Sequence, residues 1–459
     1  MSGERLGGSF RDPSGFLFHR DGVLYRQVEP AYSEAYDLLL SSGLYAELVA
    51  DGLLIAHQEV SLELALSTGA CRVLRPEIVR FISYPYSWCF SQLRDAALTT
   101  LAIQRRALAR GMILKDASAY NIQFNDGHPV LIDTLSFEPY REGDTWVAYR
   151  QFCQHFLAPL LLMSRRDVRL AGLLRVHLDG IPLDMASALL PRRTWLRFST
   201  LLHVHLHARS IVRHAGTPHR DSSLDRPMSR TGLLGLIDNL ESAIRALAWR
   251  PEGTEWADYE SQHNYGERGM EEKRRIVREL LAALAPTTVW DLGANTGAFS
   301  RIAADLGAQV VAFDADPAAI ERAYVQGRSV GERRILPLLM DLTNPSPALG
   351  WAHGERMSLV SRGAAQVVLA LALVHHLAIS NNVPLGDIAS FFASLAPELI
   401  IEFVPKTDPQ AQRLLVSRRD IFSEYDQDSF EREFGRRYEI VGAQPICGTD
   451  RRLYHMTRR

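Results

Sequence analysis

A glycine-containing turn in the second half of the chain has residues suited to binding a nucleotide. The turn, "DLGANTGAFS", begins at Asp291 and contains Gly293 and Gly297. A dinucleotide-binding turn needs G-x-G-x-x-G, because its second glycine lets the pyrophosphate approach the backbone. Here Asn295 and Ala298 occupy the second and third glycine positions. The turn is therefore predicted to hold a ligand other than a pyrophosphate.

Further polar residues stand at the ends of the predicted strands that follow this turn. Asp314 ends the second strand, Asp341 ends the third, His375 and His376 follow the fourth in "LVHHLAISNN", and Glu402 ends the fifth. Ligands of open α/β sheets bind at the carboxyl ends of the strands, so we expect these side chains at one edge.

The histidines suggest acid–base chemistry at that edge. A neutral imidazole at His376 can take a proton from a hydroxyl or amine acceptor, with His375 beside it, or the pair can simply shape the pocket. Glu402 is predicted to orient a histidine or to bind substrate. Two histidines and a carboxylate could also hold a metal, but no other residue argues for one, and we predict no metal here.

Strands and helices alternate from residue 288 onward. Near-continuous apolar strands such as "TTVWDLG", "QVVAFDAD", "RILPLLMD", "QVVLALALV" and "ELIIEFVP" are separated by helical patterns. Strands of this kind belong to a parallel sheet with helices on both faces. The final segment instead pairs two strands across a short loop. The predicted fold class is α/β, a doubly wound Rossmann-like sheet that closes with an antiparallel hairpin.

With these features, the second half resembles the class I S-adenosylmethionine-dependent methyltransferases. The resemblance covers about 270–459. It implies that S-adenosyl-L-methionine is the cofactor and that Gly293, Asn295 and Gly297 form the turn beside its methionine part. It also implies that Asp314 accepts hydrogen bonds from both ribose hydroxyls. Asp291 would support the turn, and Asp341 would meet the adenine amino group.

A second set of polar residues lies in the first half, in "LKDASAYNIQFNDGHPVLID". Asp116, Asn121 and Asp133 have the spacing of the catalytic Asp, the metal-binding Asn and the metal-binding Asp of protein kinase-like and aminoglycoside phosphotransferase-like folds, which this segment resembles. The resemblance implies an α+β domain and, as its ligands, Mg²⁺ and ATP. The hairpin around the Asp21-Gly22 turn would belong to its small lobe.

This half also departs from the kinase pattern. Leu114 and Lys115 stand where His and Arg are usual, and no glycine loop precedes the hairpin. Arg26 is the nearest candidate for the nucleotide-pairing lysine, and arginine does not replace lysine interchangeably. We therefore expect a degenerate kinase-like domain that positions the substrate or a partner.

Composition and segment boundaries complete the prediction. The 459 residues include 51 basic and 53 acidic side chains and four cysteines without CxxC spacing. This balance gives no field for nucleic acid or a membrane surface, and a reducing cytoplasm fits the cysteines. Loss of periodicity after residue 212 predicts three parts: a kinase-like domain with a helical end over 1–220, a helical linker over 221–265 and the methyltransferase domain over 266–459.

The predicted function is O- or N-methylation of an unidentified acceptor. The rivals are a bifunctional kinase/methyltransferase and a non-catalytic cofactor-binding scaffold, and the oligomeric state stays open. The sequence indicates no specific role for two further groups: Tyr259, Tyr265 and Lys273, which precede the first strand of the second half, and the histidines of "HVHLHARSIVRH". The latter, His203, His207 and His214, are expected on an ordinary helix surface.

Overall fold

The chain divides into two compact units. A computed structural model describes residues 3–209, 227–251, 266–416 and 420–459. The first unit is Met1–Arg250 with Ala348–Arg356, and the second is Pro251–Pro347 with Met357–Arg459. Both predicted boundaries, 220 and 265, lie outside the described residues, so the three-part division stays a prediction.

The first unit opens with an antiparallel sheet of five strands. Its order is β1-β2-β3-β5-β4. The β2–β3 hairpin is confirmed: Phe18 pairs with Tyr25, and Asp21 and Gly22 both have positive φ in the two-residue turn. Two antiparallel pairs follow a long helix: β6 with β9, and the hairpin β7–β8 that lies between them in the chain. The strands of this unit are β1 (Glu4–Arg5), β2 (Gly15–Arg20), β3 (Val23–Val28), β4 (His57–Val60), β5 (Arg72–Pro76), β6 (Met112–Leu114), β7 (Ile122–Asn125), β8 (His128–Leu131) and β9 (Phe137–Pro139).

Helices make up most of the rest of the first unit. They are α1 (Ser33–Ser41), α2 (Leu44–Ala50), α3 (Phe90–Ala109), α4 (Tyr149–Phe152), α5 (Ala158–Arg165), α6 (Leu173–Val176), α7 (Leu183–Leu189), α8 (Phe198–Thr200) and α9 (Arg230–Arg245). α8 continues through a π-helical stretch, Leu201–Leu206, to residue 209, and we call this whole segment the 198–209 helix. α9 lies inside the predicted linker but belongs to the first unit, where Arg105 of α3 bonds Glu241 at 3.1 Å.

The second unit is built on a seven-stranded sheet of order β12-β11-β10-β13-β14-β16-β15. The strands β10 to β14 run parallel to one another, and β16 is antiparallel to both β14 and β15. This is the doubly wound sheet with an antiparallel terminal hairpin that the sequence predicted, and it is the strand order of the class I methyltransferase fold. The strands are β10 (Thr288–Leu292), β11 (Gln309–Asp314), β12 (Ile335–Leu339), β13 (Val367–Ala370), β14 (Glu398–Phe403), β15 (Tyr438–Pro445) and β16 (Arg452–Arg458).

The central strands explain the near-continuous apolar runs. All four residues of β13 are buried, because helices cover both faces of the sheet. Burying one such aliphatic side chain stabilises the fold by about 1.5–3 kcal/mol. The covering helices are α10 (Glu267–Leu284), α11 (Ala298–Asp305), α12 (Pro317–Val330), α13 (Leu385–Leu395), α14 (Pro409–Val416) and α15 (Gln427–Gly435).

One strand is shorter than predicted. The run "QVVLALALV" suggested a strand through Val374, but β13 ends at Ala370. Ala372 has φ of 52°, which breaks the extended backbone. The chain then turns into the π-helical stretch His376–Ser380. Apolar periodicity alone could not show this, because the turn after the strand is as hydrophobic as the strand itself.

Candidate functional site

The turn after β10 takes the backbone form that its residues favour. Gly293 and Gly297 have φ of 76° and 84°, and Asn295 has φ of 51°. Asparagine tolerates this left-handed region better than most residues. Its side-chain oxygen accepts a bond from the Thr296 amide at 2.7 Å, and the Gly293 amide donates to the Phe313 carbonyl at 2.9 Å. The turn is thereby fixed against the end of β11.

Asp314, the last residue of β11, is held by main-chain amides on both carboxylate oxygens. Asn295 N donates to one carboxylate oxygen and Asp316 N to the other, each at 2.8 Å. Burial raises the pKa of Asp314 to about 6, although both amides act to lower it. The Ala315 amide is a third donor to this carboxylate. A carboxylate has about four lone-pair sites, so the side chain can still accept a further hydrogen bond.

Asp291 lies deeper than Asp314. It is buried, and the Ser300 hydroxyl of α11 donates to it at 2.6 Å. Burial, and next the charge of Asp314, raise the pKa of Asp291 to about 6. Its contact with Ser300 joins β10 to the helix that follows the turn.

A cavity of about 370 Å³ opens at the carboxyl edge of the parallel strands. Five of the residues predicted from the sequence line it, and Asp291, Gly297, His375 and Glu402 do not. Asp341 is exposed there, and Thr343 donates to it through its amide at 2.8 Å and its hydroxyl at 2.7 Å. The predicted residues that line the cavity are Gly293, Asn295, Asp314, Asp341 and His376.

The two histidines differ in their surroundings. His375 is fully buried, and among the described residues neither of its ring nitrogens has a hydrogen-bond partner. The His376 ring lies beside it, with 4.1 Å between the ring centroids, and reaches the cavity. Burial, and next the charge of Arg451, lower the pKa of His376 to about 4, so its imidazole is neutral at pH 7.

Glu402 belongs to a buried ionic cluster. Lys273 Nζ of α10 donates to its Oε2 at 2.7 Å, and Arg451 Nη1 lies 3.5 Å from its Oε1. Arg451 also binds both oxygens of Asp408, at 2.7 and 2.9 Å. We call these four residues the buried ionic cluster. Sequence reasoning missed Arg451 and Asp408, because nothing local marks a surface-type residue as buried.

The three residues that the resemblance to kinases singled out in the first unit lie close together. The Asn121 side chain bonds the Asp116 carboxylate and also donates to Ser136 Oγ at 3.4 Å. Ser136 in turn donates to Asp133 at 2.5 Å. Burial, followed by the charge of Asp133, raises the pKa of Asp116.

Asp133 is already bound by a cation of the protein. Arg26 of β3 forms an ion pair with it and holds its pKa below the usual value, although burial acts to raise it. Within the described residues, no group of three or more His, Cys, Asp or Glu side chains has the arrangement of a metal site. Arg26 thus occupies the carboxylate that the resemblance assigned to Mg²⁺, and no finding supports Mg²⁺ or ATP at this place.

The remaining predicted groups have different outcomes. His203 and His207 are buried, so the expected helix surface is wrong for both of them. His203 bonds the Tyr149 hydroxyl at 2.6 Å and Asn239 at 2.8 Å. His214, Tyr259 and Tyr265 lie outside the described residues. No described helix combines the length and apolar character that crossing a bilayer requires.

A curated relative covers almost the whole chain. It is the nodulation protein NoeA of Rhizobium meliloti (strain 1021), which is 37% identical over 461 residues, 99% of this chain and 96% of the relative. The chain belongs to the NoeA family. A search of protein-family models found no match.

Solved structures similar to this NoeA-family chain include three methyltransferases. The N-methyltransferase NodS of Bradyrhizobium japonicum WM9 is 13% identical, with a TM-score of 0.32, over 42% of this chain and 97% of its own. Magnesium protoporphyrin IX methyltransferase of Synechocystis PCC 6803, with bound SAH, is 20% identical, with a TM-score of 0.31, over 42% of this chain and 84% of its own. The bifunctional kinase-methyltransferase WbdD is 16% identical, with a TM-score of 0.29, over 45% of this chain and 43% of its own.

Proposed function

We propose that the second unit is an S-adenosylmethionine-dependent methyltransferase. The observation that carries this proposal is the Asp314 carboxylate, which lines the cavity beside the glycine turn. A carboxylate in this position is a suitable acceptor for the vicinal hydroxyls of a ribose. Its position at the carboxyl end of the second strand, beside the turn, supports the same conclusion.

The neighbouring residues fit the rest of such a cofactor. Gly293 faces the cavity and has no side chain to fill it; a Cβ there would lie 3.3 Å from Leu373 Cδ1. We assign Gly293, Asn295 and Gly297 to the methionine part and Asp341 to the adenine amino group. When bound, S-adenosyl-L-methionine would supply an electrophilic methyl group on a sulfonium ion.

The acceptor's proton requires a base or solvent. His376 reaches the cavity as a neutral imidazole, so it can accept a proton from a hydroxyl or amine held there. A pKa of about 4 makes it a weak base. We therefore assign it first to holding the acceptor by a hydrogen bond and next to removing its proton, with His375 packed behind it. Glu402 is assigned to positioning, because its carboxylate bonds Lys273.

The acceptor is an unidentified molecule with a hydroxyl or amine group. The name of the curated relative, a nodulation protein, supports a role of this methylation in nodulation. We propose that the first unit positions this acceptor or a partner. The pairing of Arg26 with Asp133 disfavours phosphate transfer as a second activity. Comparing metabolites from cells with and without the gene would identify the acceptor.

The cofactor assignment is tested by calorimetry on the full chain. Asp314→Ala removes both acceptor oxygens, and we expect S-adenosyl-L-methionine to bind about ten- to a hundredfold more weakly, a loss of about 1.5–3 kcal/mol. Asp305→Ala, at the exposed end of α11, is the matched control. Unchanged affinity in a folded Asp314→Ala protein would remove the assignment. Incubating the protein with cell extract and S-adenosyl-L-methionine distinguishes an enzyme from a scaffold, because only an enzyme would release S-adenosylhomocysteine.

A further inference from the structure

An apolar stripe is exposed on the first unit, far in sequence from the methyltransferase residues. It follows one side of the 198–209 helix and the residue just before it. Contiguous exposed apolar side chains of this kind usually mark an interaction site. The exposed fractions are 90% for Leu196, 69% for Phe198, 39% for Leu202 and 45% for Leu206.

Arginines surround this stripe. Arg192, Arg193, Arg197 and Arg209 are all exposed, and within the described part of the chain none of them has an ion pair with a carboxylate. The stretch 185–209 contains no aspartate or glutamate at all. We call these four arginines and the four apolar residues the basic apolar face.

Contacts bind the two parts of this face together. The Trp195 ring stacks on His205, with centroids 4.2 Å apart and an interplanar angle of 9°. The guanidinium of Arg209 lies 4.6 Å from the centre of the same ring. The 3-10 turn Arg192–Leu196 is thereby attached to the 198–209 helix. The arginines of this turn and Leu196 therefore lie next to the exposed apolar residues of the 198–209 helix.

A fifth arginine increases the local charge. Burial, and next the charges of Arg197 and Arg193, lower the pKa of Arg165. Its buried Nε has no hydrogen-bond acceptor among the described residues. Like charges held close together without counter-ions cost free energy, and an anionic ligand would relieve that cost.

We propose that the basic apolar face binds the surface of an anionic lipid bilayer. Leucine and phenylalanine side chains can enter the boundary between headgroups and acyl chains, while the arginines meet the lipid phosphates. A nucleic acid would satisfy the arginines but leave the aliphatic side chains unused, since it needs aromatic faces for stacking. Trp195 is already engaged by His205 and Arg209.

This inference departs from the prediction of no membrane partner. That prediction was based on 51 basic against 53 acidic residues over the whole chain. A balanced total says nothing about a local excess, and binding to a surface depends on the charges within about a Debye length, ~8–10 Å.

The test is co-sedimentation of the full-length protein with vesicles. We expect binding to phosphatidylcholine vesicles that contain phosphatidylglycerol, weak or no binding to pure phosphatidylcholine, and a steady loss of binding as salt is raised. Arg193→Glu with Arg197→Glu should lower the partition coefficient by about thirtyfold or more. Leu196→Asp with Phe198→Asp should lower it by at least about tenfold.

The controls carry the same chemical changes elsewhere on the first unit. Leu62→Asp replaces a leucine that is 53% exposed, and Arg141→Glu reverses an exposed arginine; neither should alter vesicle binding. Circular dichroism and the thermal midpoint verify folding, and the salt titration needs no variant. The proposal is overturned if wild-type protein ignores anionic vesicles. It is also overturned if the arginine pair controls nucleic-acid binding without the apolar pair, or if the apolar pair controls only self-association.

Discussion

Asp314 combines two properties at the scale of one residue: it is the acceptor of the proposed cofactor site, and its pKa is raised to about 6 by burial. The charged form accepts hydrogen bonds from hydroxyls on both oxygens, whereas the protonated form loses one acceptor. Cofactor binding should therefore favour the ionised carboxylate and lower its pKa further.

We expect the affinity for S-adenosyl-L-methionine to fall as pH is lowered through about 6. Above that pH, Asp314 is ionised in the free protein and the affinity should not change with pH. Below it, each pH unit should lower the affinity by up to about tenfold, because the Asp314 carboxyl must lose its proton before the cofactor binds. Calorimetry over this range measures the change. Asp314→Asn should bind weakly at every pH, and a wild-type affinity independent of pH would contradict the role of this carboxylate.

His376 should affect turnover more than cofactor binding. His376→Ala removes the cavity's imidazole, and turnover should fall by about a hundredfold if the ring takes the acceptor's proton. Because its pKa is about 4, the wild-type rate should show no fall near pH 6.5 from this group. The measurement compares the change in kcat with the change in the cofactor dissociation constant in this variant. Turnover within a few-fold of wild type would leave His376 as pocket lining.

At the scale of elements, the buried ionic cluster connects α10 to β14 and to the start of β16. Lys273 and Glu402 are both buried, and Arg451 and Asp408 complete the cluster. Buried ion pairs add little net stability over apolar packing, but removing one partner leaves an uncompensated charge. Their effect is to hold the edge of the sheet behind His375 in one arrangement.

Lys273→Met should therefore destabilise the second unit by about 3–5 kcal/mol. Denaturant unfolding followed by circular dichroism measures this loss. Arg275→Met is a matched control on the same helix: Arg275 bonds Glu279 at 2.7 Å on the exposed face, and such surface pairs contribute about 0–1 kcal/mol. Equal effects of the two substitutions would show that the cluster carries no special stability.

At the scale of the whole molecule, the question is what the first unit contributes to methyl transfer. If it positions the acceptor, a protein of residues 250–459 should still bind S-adenosyl-L-methionine but lose transfer to acceptor in cell extract. Asp116→Asn in the full chain should keep transfer, because Asp133 already pairs with Arg26. Transfer of tritium from labelled S-adenosyl-L-methionine measures methylation by both proteins. Full-rate transfer by 250–459 would refute the positioning role, and ATP hydrolysis lost in Asp116→Asn would favour the bifunctional enzyme.

Local pattern was enough to predict the α/β sheet of the second unit, its terminal hairpin, the turn at Gly293 and the carboxylate of Asp314. These features depend on burial periodicity, backbone preference and strand ends, which neighbouring residues specify. Only the tertiary structure showed that Arg26 neutralises Asp133, that Glu402 bonds Lys273 and that His203 is buried. Each of these depends on groups distant in sequence, and the free energy of a charge depends on what surrounds it.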